Sequence, residues 1–352
     1  MILTIVVFLL ILSVLVLAHE LGHFATAKWC GVKVEEFGMG FPPRLFSIQR
    51  GETVYSLNAI PFGGFTKLLG EEDPSASRSF ASKSHACRFL ILVAGSIMNL
   101  LLPVLLFTIS FMVPHDIAYE TVSISQVAAE SPAQVAGIEA GDRLLKIDNH
   151  DIKNRGNVAY YIQLKLGSTV DFLIQKSDGS EEIYTLKPRW APPPGEGATG
   201  IMIAGADTVY TKESLPFWEA IPQASVHSWE IIVLFRNEIT KWFVGSSAPQ
   251  LSGPIGIAQL TGEVVKGGVS PVLELAALIS ISLGIFNLLP IPGLDGGRIL
   301  FVALEWFRRG KRISPQKEGL VHTIGFIMLL ALIIVISYFD VIRLISGESL
   351  IP

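Results

Sequence analysis

The chain of 352 residues is short of charge and of cysteine. Asp, Glu, Lys and Arg make up 16% of it, against about 25% in soluble proteins. Half of its residues are hydrophobic, and mean hydropathy is +0.50. That balance excludes a disordered chain, a fibrous chain and an ordinary cytosolic globule. Two cysteines, Cys30 and Cys87, are too few for a disulfide scaffold and are not spaced as a zinc ribbon. Excess positive charge is also missing: 27 basic residues face 31 acidic ones, for a net charge of -4. Nothing in that balance predicts a nucleic-acid partner.

Long apolar runs are what the chain does have. They cover residues 1–18, 89–113, 271–289 and 320–339. A helix needs about 20 residues to cross a hydrocarbon core of ~30 Å. The first run reaches that length by continuing through the polar motif at its end. It carries no basic leader and no small-residue cleavage site, so it reads as a retained span rather than a cleaved signal peptide. Charge sets the orientation. Residues 24–90 hold eight Lys/Arg and six Asp/Glu, and residues 296–317 hold six and one. Residues 116–270 hold twelve and eighteen. Positive loops mark the cytoplasmic side, so the acidic island and both termini are expected outside.

The island at 116–205 reads as β-rich. Strands are expected at 121–127, 143–147, 169–175 and 182–186, with turns at Asp148-Asn149 and Asp178-Gly179. Ser131 caps a short helix at 131–137, with Pro132 at its first position. Residues 192–197 read as a hinge. Segment 216–244 interleaves Trp218, Trp229, Phe235, Trp242 and Phe243 with charges. It is an amphipathic helix too polar to span. It either lies on the membrane surface or packs on the soluble domain.

The chemistry is concentrated in His19-Glu20-Leu21-Gly22-His23. Positions i and i+4 of a helix share a face about 5–6 Å apart, so two imidazoles there can hold one Zn²⁺. Glu20 need not be a ligand. As a general base it can take a proton from water and pass it to a leaving amine. Such residues are costly in an apolar helix and point to function. A zinc hydrolase needs a third protein ligand. Asp295, in the run from Asn287 to Gly297 (NLLPIPGLDGG), is the candidate. It follows the third apolar run, on the face where the first run also ends. In Asp-Gly-Gly it could instead be a turn residue, but the depth it shares with the first motif favours a ligand. Gly95 and Asn99, four residues apart in the second run, read as helix packing. His85, His115, His150, His227 and His322 stand singly and are assigned nothing.

Several motifs carry a resemblance. HExxH in a first span, with N-x-x-P-x-x-x-L-D-G near the third, resembles the site-2 protease family of intramembrane zinc metalloproteases. More narrowly, the chain resembles the bacterial regulator-of-sigma-E protease group. PFGGFTKLLG at 61–70, GSIMN at 95–99 and LSGPIGI at 251–257 match that group's motifs. SPAQVAGIEAGDRLLKIDNHDI, from residue 131, resembles a bacterial PDZ domain. The best-known members of the group carry two PDZ patterns where this chain shows one.

The resemblance implies a multi-pass α-helical membrane protein with four transmembrane helices and an inserted β-rich PDZ domain. The parts would be 1–115 with spans one and two, 116–205 as the PDZ domain, 206–270 as linker and interfacial helix, and 271–352 with spans three and four. It implies that His19, His23 and Asp295 bind Zn²⁺, that Glu20 is the general base, and that Asn287 hydrogen-bonds substrate. Gly63, Gly64 and Phe65 would sit in a β-hairpin whose edge pairs with extended substrate. The substrate would be the transmembrane segment of a single-pass membrane protein, such as a trimmed anti-sigma factor or a remnant signal peptide. The lipid bilayer and a peptide terminus at the PDZ domain are the other expected partners. The expected location is the bacterial inner membrane, with the active site toward the cytoplasm and the PDZ domain outside. A non-enzymatic PDZ membrane receptor and a metal transporter remain the alternatives.

Overall fold

The computed structural model describes residues 2–71, 73, 75–245, 252–311 and 313–346, with only the backbone of residues 61–62. Leu251 of the LSGPIGI motif lies outside these residues, as do Met1 and Arg312. Contacts divide the chain into two compact units, Met1–Ser110 with Leu251–Pro352, and Phe111–Gln250.

The first unit opens with helix α1 (Ile2–Trp29), apolar until His19. Two long strands follow, β1 (Val34–Arg50) and β2 (Thr53–Leu68). Both double back on themselves. Residues 34–39 pair with 53–57 on one side and with 64–68 on the other, while 44–50 pair with 53–58. The result is four adjacent extended segments, and residues 64–68 form one edge. The expected hairpin at 61–70 is thus the last part of a much larger sheet. Its apolar residues Phe41, Leu45, Phe46 and Ile48 are exposed. Helix α2 (His85–Met112) then returns along α1. A Cβ on Gly22 would lie 2.4 Å from the Ala94 carbonyl oxygen, so only glycine permits this approach of the two backbones.

The second unit holds β3 (His115–Val127), α3 (Pro132–Ala136), β4 (Arg143–Ile147), β5 (His150–Asp151) and α4 (Arg155–Leu164), followed by β6 (Val170–Gln175), β7 (Glu181–Leu186), β8 (Ile201–Glu213) and α5 (Phe217–Phe243). The sheet order is β7-β6-β4-β3-β8, and β5 pairs with β4. Three of the four expected strands form within about a residue of their expected bounds, and β3 covers its expected 121–127 but extends back to His115. Ser131 caps α3 by accepting from the Gln134 N–H. Alternation puts Val122, Ile124, Leu144, Ile147, Phe172 and Ile174 into one apolar core. Two further features differ from expectation. Strand β8 carries the sheet to Glu213, because its whole length pairs with β3. Helix α5 packs Ala220, Ala224, Ser228 and Ile231 inward and leaves Trp218, Trp229 and Phe243 exposed. Asn237 of α5 donates to the Gln163 carbonyl at 2.7 Å. Packing on the β-rich unit is therefore one role of this helix.

The first unit resumes with α6 (Pro254–Val264), α7 (Val269–Leu288), α8 (Asp295–Phe307) and α9 (Pro315–Ser346). The segment called a linker after 244 thus contains a helix. Asp340 of α9 accepts from the N–H groups of Gly253 and Gly256 at 2.9 Å each, capping α6 from a neighbouring helix. Helices α1, α2, α7 and α9 are the four described helices long and apolar enough to cross a membrane. Ser110 and Ser270 hydrogen-bond at 2.7 Å between α2 and α7. Ser280 of α7 donates to the Asn99 carbonyl at 2.8 Å. Such polar contacts join helices whose apolar faces gain little from leaving lipid.

Candidate metal centre

Two turns of α1 and the first residue of α8 bring three donor atoms together. His19 Nε2 lies 2.9 Å from Asp295 Oδ2, and His23 Nε2 lies 3.2 Å from the same oxygen. The two imidazole nitrogens are 3.1 Å apart. This is the one His, Cys, Asp or Glu group of metal-binding size among the described residues. The remaining histidines join no such cluster. His85 and His322 instead contact Glu305 and the Gly293 N–H.

Local sequence explains the convergence. The four-residue spacing stacks His19 and His23 on one face of α1. Gly95 of α2 faces them, and a Cβ there would lie 2.3 Å from His23 Nε2 and 2.8 Å from His19 Nε2. Asp295 starts α8 because the following glycine lets the preceding loop fold over the helix start. A Cβ on Gly296 would lie 2.0 Å from the Leu289 carbonyl oxygen. The Asp-Gly-Gly turn therefore also sets where the Asp295 carboxylate stands.

The donor set fits a zinc ion. His23 Nδ1 lies 2.7 Å from the Ile91 carbonyl oxygen, which only accepts. Nδ1 therefore carries a proton, and the neutral ring would present its lone pair at Nε2. That lone pair faces a second imidazole nitrogen and a carboxylate oxygen, a set of three donors that a divalent cation between them would satisfy. Tetrahedral ligands at ~2.1 Å from zinc sit about 3.4 Å from one another, close to the separations observed here.

Glu20 lines a cavity of about 410 Å³ together with His23 and Asp295, opposite Gly64, Phe65 and Lys67. The sheet edge is anchored to the motif helix: Thr66 Oγ1 donates to the Glu20 carbonyl at 3.1 Å. Gly64 and Phe65 line this cavity from the sheet edge. Gly63 is one step away, against the Phe41 ring, and does not line the cavity. Asn287 is half-buried near the end of α7 and does not line it either.

Two residues at the site were not singled out for it by sequence. Arg298, one helical turn beyond Asp295, lines the cavity and pairs with Glu71 at 2.9 Å. Asn99 touches His19 rather than only packing helices. The signal for Asn99 was its spacing: Gly95 and Asn99 repeat the i, i+4 interval of the two histidines. Cys30 and Cys87 are free thiols. Burial, with Cys87 alongside, pushes the Cys30 thiol up to about 11.

The sequence model of peptidase family M50 matches residues 7–332. A Clostridium acetobutylicum protein, described provisionally in its name as a zinc metalloprotease, is 37% identical over 339 residues. That alignment covers 96% of this chain and 97% of the relative. Zinc metalloprotease RasP of Geobacillus kaustophilus is 28% identical, with 96% and 97% covered. Among solved structures, the PDZ domain of an SdrC-like protein from Listeria monocytogenes aligns at 25% identity with a TM-score of 0.22. It covers 24% of this chain and 90% of its own. A donor triad suited to zinc, an adjacent glutamate and a match over nearly the whole length agree: the chain belongs to peptidase family M50 and is a zinc metalloendopeptidase of the membrane.

Proposed function

We propose that this endopeptidase hydrolyses a peptide bond within the transmembrane segment of a single-pass membrane protein. His19, His23 and Asp295 would hold the zinc, and Glu20 would act as general base. The observation that carries the reading is the convergence of those three donors beside Glu20 in a cavity walled by a sheet edge. Zinc at such a site supplies a Lewis acid that polarises the scissile carbonyl. Glu20 takes a proton from the attacking water and returns it to the departing amine.

The edge at residues 64–68 answers a physical difficulty. A transmembrane helix has its backbone hydrogen bonds satisfied internally, and cleavage requires a few residues to unwind. Backbone groups of the edge replace those bonds if the unwound segment adds as a strand. Gly64, Phe65 and Lys67 lie on this edge and line the cavity. Asn287 is proposed to meet substrate backbone once the substrate is in place. The charge bias between loops supports an active site facing the cytoplasm of a bacterial inner membrane and a β-rich unit outside. That unit, read as PDZ-like from its motif, would screen substrates already shortened outside, such as a trimmed anti-sigma factor or a remnant signal peptide. The exposed aromatics of α5 suit the membrane surface.

Family membership sets aside the receptor and transporter alternatives. The test is cleavage of a tagged single-pass membrane substrate in detergent by wild type, by Glu20→Gln, and by wild type with a zinc chelator. Activity should vanish in both altered cases. Cleavage that survives Glu20→Gln would overturn the assignment of the base.

A further inference from the structure

The two histidines are oriented from the same face of α2. Ile91, Gly95 and Asn99 recur every four residues, so they line up along that face. The Ile91 carbonyl takes the Nδ1–H of His23 at 2.7 Å. Gly95 leaves room for both rings. Asn99, only 1% exposed, brings its carboxamide to His19, with Nδ2 3.4 Å from His19 Nδ1.

This last contact can be made in two senses. If Asn99 donates, His19 Nδ1 is a lone pair and the ring proton sits on Nε2, the atom that faces Asp295 and His23. That tautomer cannot ligate a metal through Nε2. If Asn99 accepts, Nδ1 keeps the proton and Nε2 is free to bind. Turning the carboxamide by half a rotation exchanges two groups of nearly equal size. With Nδ2 facing His19 Nδ1, Oδ1 is buried and has no hydrogen-bond partner. A buried acceptor without a donor is costly, and the Nδ1–H of a metal-binding His19 would be its donor.

We propose that Asn99 is a positioning residue that fixes His19, through an Nδ1–H···Oδ1 hydrogen bond, in the tautomer that presents Nε2 to zinc. It does for His19 what the Ile91 carbonyl does for His23. The inference rests on the proposed zinc ligands and goes beyond them. It assigns a ligand-orienting role to a second-helix residue that touches neither zinc nor substrate.

The experiment measures zinc affinity of the full-length chain in detergent, by competition with a chelating dye. Wild type, His19→Ala, Asn99→Leu and Asn99→Asp are compared, with thermal unfolding as a check on folding. Asn99→Leu keeps the volume but lacks an acceptor, and it should bind zinc about 10- to 100-fold more weakly. Asn99→Asp restores an acceptor and should bind within about threefold of wild type or more tightly. A packing role predicts the opposite order, with leucine tolerated in the apolar helix and the charge rejected. Equal affinity in wild type and Asn99→Leu would overturn the proposal. So would tenfold weaker binding by a folded Asn99→Asp, which decides the matter even if Asn99→Leu does not fold. Wild type that binds no better than His19→Ala would instead overturn the ligand assignment itself.

Discussion

The two units are built inside out relative to each other. The β-rich unit buries Phe172, Ile174, Val122 and Leu144 and exposes most of its charge. The helical unit exposes Leu3, Leu10, Phe326 and Ile334 and buries His23, Arg88, Asn99, Ser270, Ser280, Glu305 and Asp340. In water, apolar burial drives folding, so the first interior is oily. In lipid, apolar groups gain nothing by leaving the solvent, and polar groups gather inside to satisfy one another. The buried pair Arg88–Glu305, at 2.7 Å, would cost stability in most water-soluble cores. The same preference allows buried His23 to meet half-buried His19 and Asp295. A metal centre is thus compatible with the interior of the helical unit in a way it would not be with that of the β-rich one.

This contrast can be broken at defined points. The largest effect is expected from Glu20→Gln, which should lower peptide cleavage by about 10²- to 10⁴-fold while zinc content and thermal unfolding stay at wild-type values. Gly95→Ala comes next. Alanine favours helix over glycine by roughly 0.5–1 kcal/mol, yet its Cβ would occupy the space of the two rings. Zinc affinity should fall by about 100-fold, read by dye competition, with little loss of helicity by circular dichroism. Retained affinity would show that the rings can retreat.

Phe172→Ala attacks the other interior. It removes a fully buried ring and should destabilise the β-rich unit by about 3–5 kcal/mol. Denaturant unfolding should show this loss with zinc affinity unchanged, because no metal donor belongs to that unit. Weakened zinc binding would mean the two interiors are energetically linked.

The smallest effect concerns the exposed turn between β1 and β2. Arg78 and Lys28 hold the Glu52 carboxyl near 2, below its ordinary 4.5. A depressed carboxylate stabilises the fold above the ordinary value, and that contribution disappears as pH falls from about 4.5 to 2. Glu52→Gln should therefore lower the unfolding temperature slightly at neutral pH. The difference should shrink in high salt and through that acid window. A difference independent of pH would assign Glu52 a role other than charge pairing.

Much of this molecule follows from local pattern. Length and hydropathy are properties of a segment, so α1, α2, α7 and α9 were legible. Period-two alternation and turn residues marked β4, β6 and β7 within about a residue. His19 and His23 were legible because four-residue spacing on a helix fixes their separation without any partner. The doubled-back β1–β2 sheet was not, since its registers pair residues up to 34 positions apart and no local period encodes them. Helix α6 was hidden because its first turn is capped by Asp340, 84 residues or more away.

The sequence by itself therefore determined the class of chemistry: two imidazoles and a glutamate in an apolar helix, and an aspartate just past another apolar run. Only the tertiary structure decided that Asp295 meets them, that Glu20 opens onto a cavity beneath a strand edge, and that Asn99 belongs to the site. The physical reason is that ligation and hydrogen bonding act over about 3 Å. Closing distances of that size between residues 276 positions apart depends on how the helices pack, and here on glycines whose missing side chains let them approach.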